Sequence, residues 1–283
     1  YNTWVIQSSV ALTNTILDDG NSPAVLSAIM KQQTTERGRI VLNEALDIHA
    51  GAGICIGYSN ILEKFYRSAP IGITVEGSNT LTRSLIIFGQ GLNKSHPHIF
   101  SILDTILQDN PNEFKKEFIK ILWHSIELYF KSWKFSSSLE KQIIDYATLT
   151  NFVAIKGGAL KREQMLSGDM ADIFSNLYLA LGVQFYEKSY PSSELLTNYV
   201  IQRLMNENQL KINKVIDNLG IEKYVLLHLK KNVKDITYDE QRKVFHEIMN
   251  NKAIISEIKK NIHVKDNILE DMENAILLDK NSP

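Results

Sequence analysis

The hydrophobic positions of this 283-residue chain recur with helical rather than strand spacing. Apolar residues lie three or four positions apart through long segments, and alternating runs are scarce. Only 6 prolines and 14 glycines interrupt these segments. The sequence therefore predicts an all-α protein built from packed antiparallel helical bundles.

Capping residues predict several helix boundaries. Ser22 as N-cap, with Pro23 at the first helical position, predicts a helix that ends at about His49. Asn110 and the proline after it open another helix. The stretch Thr237-Tyr238-Asp239-Glu240 has the form of a capping box and predicts one of the last helices.

Two further segments carry predictions about packing. The helix that follows Asn110 has an apolar stripe that is predicted to face the core. The stripe consists of Phe114, Phe118, Leu122, Ile126, Tyr129 and Trp133. Residues 139–166 are predicted to form one long helix, in which Gly157 and Gly158 permit close contact with a neighbour. A soft boundary near Ser95 divides the chain into predicted domains 1–95 and 96–283.

The stretch from 44 to 91 contains several glycines, which can interrupt helices, and one acid that stands in apolar surroundings. Gly51 and Gly53 are predicted to end the preceding helix, since glycine tolerates positive φ, and to let a ligand approach the backbone closely. By sequence alone, a helix stop is the simpler interpretation. The turn is not a dinucleotide fingerprint, because it follows a helix rather than a strand.

Glu76 lies at the centre of this stretch. The β-branched run 71–75 before it predicts a buried extended segment, and residues 77–80 after it can turn and cap a new helix. This context predicts a carboxylate at a partly desolvated helix entrance. Without further information, however, a glutamate beside a glycine is more often a solvated turn residue, and Ser78 is equally well explained as a helix cap.

A longer pattern surrounds these residues. A helix ending in a Gly-x-Gly turn, followed by Val-Glu-Gly-Ser-Asn-Thr-Leu-Thr-Arg at 75–83, resembles the C-terminal helical domain of flavin-dependent acyl-CoA dehydrogenases. The stretches 47–49, 96–98 and 160–163 look like the long bacterial branch of that family, which serves fatty-acid β-oxidation. The resemblance extends from about Pro23 to Gly182. Three positions depart from the family pattern, namely Val75 for tyrosine, Asp47 for glutamine and Ala50 for glycine.

The resemblance implies a role for each matching residue. Glu76 would be the base that removes the α-proton of an acyl-CoA thioester while the β-hydrogen leaves as hydride to FAD. Its backbone N–H would bind the substrate carbonyl, with Gly77 beside it in the substrate site. Ser78 and Thr80 would contact the flavin. Gly51 and Gly53 would contact the FAD of a neighbouring subunit, which implies a homo-oligomer. The implied partners are fatty acyl-CoA and an electron-accepting flavoprotein.

Charge and composition narrow the alternatives. With 31 basic and 32 acidic residues the net charge is −1, so no global field favours nucleic acid. The single cysteine, Cys55, is compatible with a reducing compartment, and the cytoplasm is the expected location, with membrane association of a longer parent left open. A zinc site at His96 and His98 is not expected, because no cysteine or acid lies nearby at ligand spacing. Arg67 and Arg83 are predicted to be structural ion-pair partners.

Two functional hypotheses follow from the sequence. In the first, the chain is a piece of an FAD-dependent acyl-CoA dehydrogenase that carries the base, lacks the other flavin-covering domains, and is inactive and free of FAD on its own. The chain opens with Tyr1 and a helical pattern, without a visible signal peptide. In the second, the helices form a non-catalytic assembly or docking module.

Overall fold

The computed structural model describes residues 1–57, 60–92, 96–134, 136, 138–262, 271, 274 and 275. These residues form helices and no strand, which confirms the all-α prediction. The α-helices are α1 (Asn2–Asp18), α2 (Ala24–His49), α3 (Gly51–Ile54), α4 (Glu63–Thr74), α5 (Asn79–Leu81), α6 (Ile99–Leu107), α7 (Pro111–Lys131), α8 (Leu139–Ala154), α9 (Gln164–Ser189), α10 (Glu194–Asp217), α11 (Lys223–Leu226), α12 (Tyr238–Asn250) and α13 (Lys252–Lys259). A π-helix (Thr82–Gln90) continues α5, and Gly157–Lys161 and Leu227–Leu229 are 3₁₀ helices. Among the described helices, none combines the length and the apolar content needed to cross a bilayer.

Helix α9 is the centre of the fold. It contacts α1, α10 and the π-helix, and most of its residues are buried. Helix α1 approaches it closely at Gly182, where a Cβ atom would lie 2.9 Å from the Cα of Ser9. The hydroxyls of Thr13 and Tyr178 form a hydrogen bond of 2.8 Å across the same contact. Glycine at this position therefore allows the two helices to pack backbone against backbone.

The buried hydrophobic residues form one cluster that includes both sides of the predicted domain boundary. Phe88 lies before the boundary and Met170 after it. Ser95, at which the boundary was placed, lies outside the described residues. The division into 1–95 and 96–283 stays a prediction.

The predicted start of α2 was wrong by one position. The helix begins at Ala24, and Pro23 is its N-cap, without a side-chain hydrogen bond from Ser22. The reason is that Pro23 has ψ of 74°, which lies outside the helical range. The predicted end at His49 is confirmed.

The single helix predicted over 139–166 is interrupted. Helix α8 ends at Ala154, a 3₁₀ helix follows, and α9 begins at Gln164. Gly157 has φ of 52°, which breaks the right-handed path. A glycine adopts this conformation at little steric cost, so the same residue that suggested close packing lies in the break between α8 and α9 instead.

The apolar stripe that begins at Phe114 was predicted to face the core, and this prediction is wrong for most of its residues. The helix itself is confirmed, with the Asn110 side chain accepting from the Glu113 N–H at 3.2 Å. However, Phe118, Leu122 and Trp133 are 52%, 50% and 58% exposed. Helix α7 packs against α6 and α8, and these neighbours leave much of its apolar surface uncovered.

The predicted capping box at the start of α12 is confirmed. Oγ1 of Thr237 accepts from the Glu240 N–H at 3.3 Å, and the Glu240 carboxylate accepts from the Thr237 N–H at 2.7 Å. The hydrogen bonds that the Glu240 carboxylate accepts from the N–H and the hydroxyl of Thr237 lower the pKa of this carboxyl.

Replacing Thr237 by Ala is expected to lower the free energy of unfolding by about 1 kcal/mol, because the N-terminal N–H groups of α12 lose an acceptor. Urea denaturation monitored by circular dichroism measures this change. Thr237→Ser retains the hydroxyl and serves as the control. Equal losses in both variants would show that the methyl group, not the cap, is responsible.

Candidate functional site

Glu76 occupies a tight turn between α4 and α5. Its φ is 53°, a left-handed value that costs a residue with a Cβ about 1–2 kcal/mol. Gly77 follows with φ of 86°. The Glu76 side chain is exposed and forms no hydrogen bond or ion pair with any described residue. Strained backbone that presents an unpaired carboxylate is typical of a functional site.

Helix α2 holds this turn in place. Lys31 Nζ donates to the Gly77 carbonyl at 2.6 Å and to Asn79 Oδ1 at 2.7 Å. The buried Asn79 in turn donates through Nδ2 to Thr35 Oγ1 at 2.9 Å and to Glu36 Oε1 at 3.0 Å. The backbone that follows the exposed carboxylate is therefore fixed, while the carboxylate itself stays free.

The sequence analysis missed these α2 residues. Lys31 and Thr35 are four positions apart, which places them on one face of α2. That spacing shows a polar face, but it does not show that the face meets a turn more than forty residues later in the chain. The only local signal was Asn79, which the sequence placed in a turn rather than in a buried network.

The segment before Glu76 differs from its prediction. Residues 71–75 were expected to be extended and buried, but α4 extends to Thr74 and Val75 is 49% exposed. Tertiary packing overrides the β-branched propensity here. Helix α4 packs on α2 at Gly72, where a Cβ would lie 3.2 Å from Thr35 Cγ2. The partly desolvated setting predicted for Glu76 is absent from the described residues.

Ser78 and Thr80 lie on the same turn as Glu76. Ser78 is the N-cap of α5, and its Oγ accepts from the Leu81 N–H at 3.4 Å. The capping interpretation of Ser78 is therefore confirmed. Thr80 is exposed, and its carbonyl accepts from Ser84 Oγ at 2.7 Å. Flavin contact by either residue stays a prediction.

The Gly51 turn lies at the other end of α2. From Lys31 to His49, a rise of 1.5 Å per residue gives about 27 Å along the helix. The positive φ that glycine tolerates is found instead at Ala50, at 48°, and both Gly51 and Gly53 belong to α3. Within one chain, the structure does not bring this turn to the Glu76 turn.

Gly53 is glycine for a packing reason. It is buried, and a Cβ would lie 3.1 Å from the Leu46 carbonyl oxygen. Its N–H donates to the Ala50 carbonyl at 3.0 Å, so it is not free for a ligand. Asp47, one turn earlier in α2, is exposed. Of the two predicted glycine contacts, Gly51 has the more accessible backbone.

The two arginines are structural partners, as predicted. Arg67 pairs with Glu63 at 2.6 Å. Arg83 donates from Nε and Nη2 to the two oxygens of Asp172, both at 2.7 Å. Burial opposes ionisation of Asp172, but Arg83 and Lys211 outweigh burial and lower the pKa of its carboxyl. The pair anchors the π-helix to α9.

The described histidines do not form a metal site. His49 Nδ1 lies 2.9 Å from the Ala45 carbonyl oxygen and helps to close the end of α2. The described part of the chain contains no group of three histidine, cysteine or acidic side chains that is arranged to hold a metal ion.

Comparison with known proteins gives two family matches. Residues 134–280, more than half of the chain, match the model described as "Acyl-CoA dehydrogenase, C-terminal, bacterial type". Residues 5–89 match "Acyl-CoA dehydrogenase, C-terminal domain". A crystal structure of an acyl-CoA dehydrogenase complexed with FAD from Bacillus anthracis has a similar fold, with a TM-score of 0.65 and 19% sequence identity. The match covers 90% of this chain and 47% of that one, so the chain spans about half of the length of the solved structure.

Proposed function

The chain belongs to the acyl-CoA dehydrogenase family, and on this basis we propose that it is the C-terminal helical part of an FAD-dependent enzyme that dehydrogenates fatty acyl-CoA to trans-2-enoyl-CoA. Residues 1–95 would be part of the catalytic helical domain, and residues 96–283 an additional helical domain. The proposed pathway context is fatty-acid β-oxidation.

The observation that carries the proposal is the state of Glu76. Its carboxylate is unpaired and exposed on a strained turn that Lys31 and Asn79 hold rigidly. A base must reach its proton without first breaking another interaction, and its backbone must not move during the transfer. The turn meets both requirements, and the resemblance of residues 75–83 to the family pattern assigns the base to Glu76.

The chain's own residues support a proton-transfer step. Glu76 would accept the α-proton, and its backbone N–H has no acceptor among the described residues. That N–H can therefore donate to the thioester oxygen as negative charge develops there. FAD, when bound, supplies the acceptor for the β-hydrogen.

The fit to a flavin is mixed. Ser78 and Thr80 present polar groups on the Glu76 turn, while Gly51 lies about 27 Å away along α2. Contact of Gly51 with the cofactor of a second subunit would account for this separation. The proposed enzyme is therefore a homo-oligomer. By its resemblance to the family, it would pass electrons to an acceptor flavoprotein.

A second candidate function is assembly or docking. It is favoured by the uncovered apolar side chains of α6 and α7, which include Phe100, Leu107, Phe118 and Trp123. Exposed apolar surface of this kind commonly marks an interaction site. In this alternative Glu76 has no chemical role.

A flavin-binding experiment tests the proposal. The 283-residue chain purified alone is expected to be colourless and inactive, because the family's flavin pocket also needs segments outside it. A longer protein that joins this chain to such segments is expected to bind FAD, and anaerobic acyl-CoA is expected to bleach the flavin. If the longer protein binds FAD but no acyl-CoA reduces it, the docking function is favoured. A yellow short chain that retains FAD through gel filtration would contradict the domain argument.

A further inference from the structure

A cleft of about 270 Å³ lies between the π-helix, α7, α8 and α9. It is separate from the Glu76 turn and includes none of the predicted site residues. Its walls are mainly apolar, with Phe88, Leu92, Leu128, Ile143, Ala147 and Phe174 among them. A concave apolar site of this size is typical of a place where a small molecule binds.

Two polar atoms in the wall lack partners. Thr150 is 8% exposed, and its Oγ1 makes no hydrogen bond of normal geometry, its neighbour in the wall being the Tyr146 hydroxyl. Asn151 Nδ2 is also buried without a partner in the described part of the chain. Native proteins pair nearly all such groups. Both residues line the cleft, so a ligand atom in the cleft is the partner that would satisfy them.

Histidines provide further donors at the same cleft. His96 and His124 both line it, with ring centroids 5.7 Å apart. His96 Nδ1 accepts from the His98 N–H at 3.2 Å, so the neutral ring carries its proton on Nε2. Burial lowers the pKa of both His96 and His124, although a hydrogen bond with the Asn151 side chain acts in the opposite direction on His96.

The polar groups in the wall are thus mainly donors, whereas the remaining wall is hydrocarbon. A cavity of 150 Å³ accommodates benzene, so the cleft holds a molecule of roughly ten non-hydrogen atoms. We propose that this cleft binds one small amphipathic molecule with a hydrocarbon body and a hydrogen-bond-accepting carboxylate or carbonyl end. The accepting end lies against Thr150, Asn151 and His96.

The π-helix is a second reason to expect binding here. Ile87 and Phe88, which line the cleft, belong to its last turns. π-Helical geometry is rare and is frequent at functional sites. The same helix begins just after the Glu76 turn, but the inference does not depend on Glu76 being a base.

Octanoate is a suitable probe for the 283-residue chain, because its size and carboxylate match the cleft. Isothermal titration calorimetry is expected to show saturable binding. Octylammonium, which has the same hydrocarbon body without an accepting end, is expected to bind at least ~10-fold more weakly. Equal binding of the two probes, or no saturable octanoate binding, would overturn the proposal.

Variants locate the binding. Ala147→Leu fills the cleft and is expected to abolish octanoate binding, while Ala154→Leu, on the same helix but outside the cleft, is the matched control. Thr150→Val removes the unpaired hydroxyl and is expected to weaken octanoate binding by about 2–10-fold without lowering the melting temperature. Unchanged affinity in both Ala147→Leu and Thr150→Val would place the binding elsewhere and refute the assignment.

Discussion

Replacing Glu76 by Gln is expected to slow reduction of bound flavin by acyl-CoA by about 10²–10⁴-fold in an enzyme that contains this chain. The amide keeps the size and polarity of the side chain but cannot accept the α-proton. Substrate binding is expected to persist, because Lys31 holds the turn through the Gly77 carbonyl and not through the Glu76 carboxylate. Stopped-flow bleaching of the flavin measures the step directly.

Two control variants make the Glu76 result specific. Glu76→Asp keeps a carboxylate with a shorter reach, so partial activity at best is expected from near-attack geometry. Glu44→Gln makes the same chemical change at an exposed position of α2 and is expected to reduce flavin at the parent's rate. If Glu76→Gln also reduced flavin at that rate, the base would be another residue.

Local signals predicted the helices well. The Asn110 cap and the Thr237 capping box are recovered in the structure because each depends on residues within four positions of one another. The end of α2 at His49 follows from the same kind of information. Such features are decided by the chain's own neighbours, so a single sequence contains them.

Long-range packing could not be predicted in the same way. The stripe on α7 showed a helix with an apolar face, but periodicity does not say whether another element covers that face. Gly157 was compatible with close packing and with a break, and only its φ of 52° decides between them. Lys31 forms hydrogen bonds with Gly77 and Asn79, which lie 46 and 48 positions later in the chain, and no local pattern connects these residues.

For the candidate site, the sequence predicted the residue but not its surroundings. Glu76 was singled out by the pattern at 75–83, and its role stays a prediction. The strain at Glu76 and its contacts with α2 are visible only in the structure. The β-branched run before Glu76 predicted an extended segment, whereas packing against α2 favours a helix.

Replacing Asp145 by Ala is expected to lower the free energy of unfolding by about 3–5 kcal/mol, because it leaves a buried charge uncompensated. Asp145 is fully buried; one carboxylate oxygen pairs with Lys141 and the other with Lys231, the latter at 3.0 Å. Lys141 is itself buried, and burial lowers the pKa of its ammonium group against the opposing effect of Asp145. The substitution removes the group that keeps Lys141 charged.

The matched control for Asp145 is Asp239→Ala, which breaks an exposed pair with Arg242 at 3.0 Å and is expected to cost less than about 1 kcal/mol. Urea denaturation measures both variants. The loss in Asp145→Ala should also shrink as pH rises towards 10.5, the usual pKa of lysine. Without Asp145, the folded variant binds the Lys141 proton more weakly than the folded parent does, and more weakly than the unfolded chain does. The free energy of unfolding of the variant therefore increases with pH in that range, and more steeply than that of the parent. A loss that equals that of Asp239→Ala and does not vary with pH would show that Asp145 contributes no more to stability than a surface carboxylate.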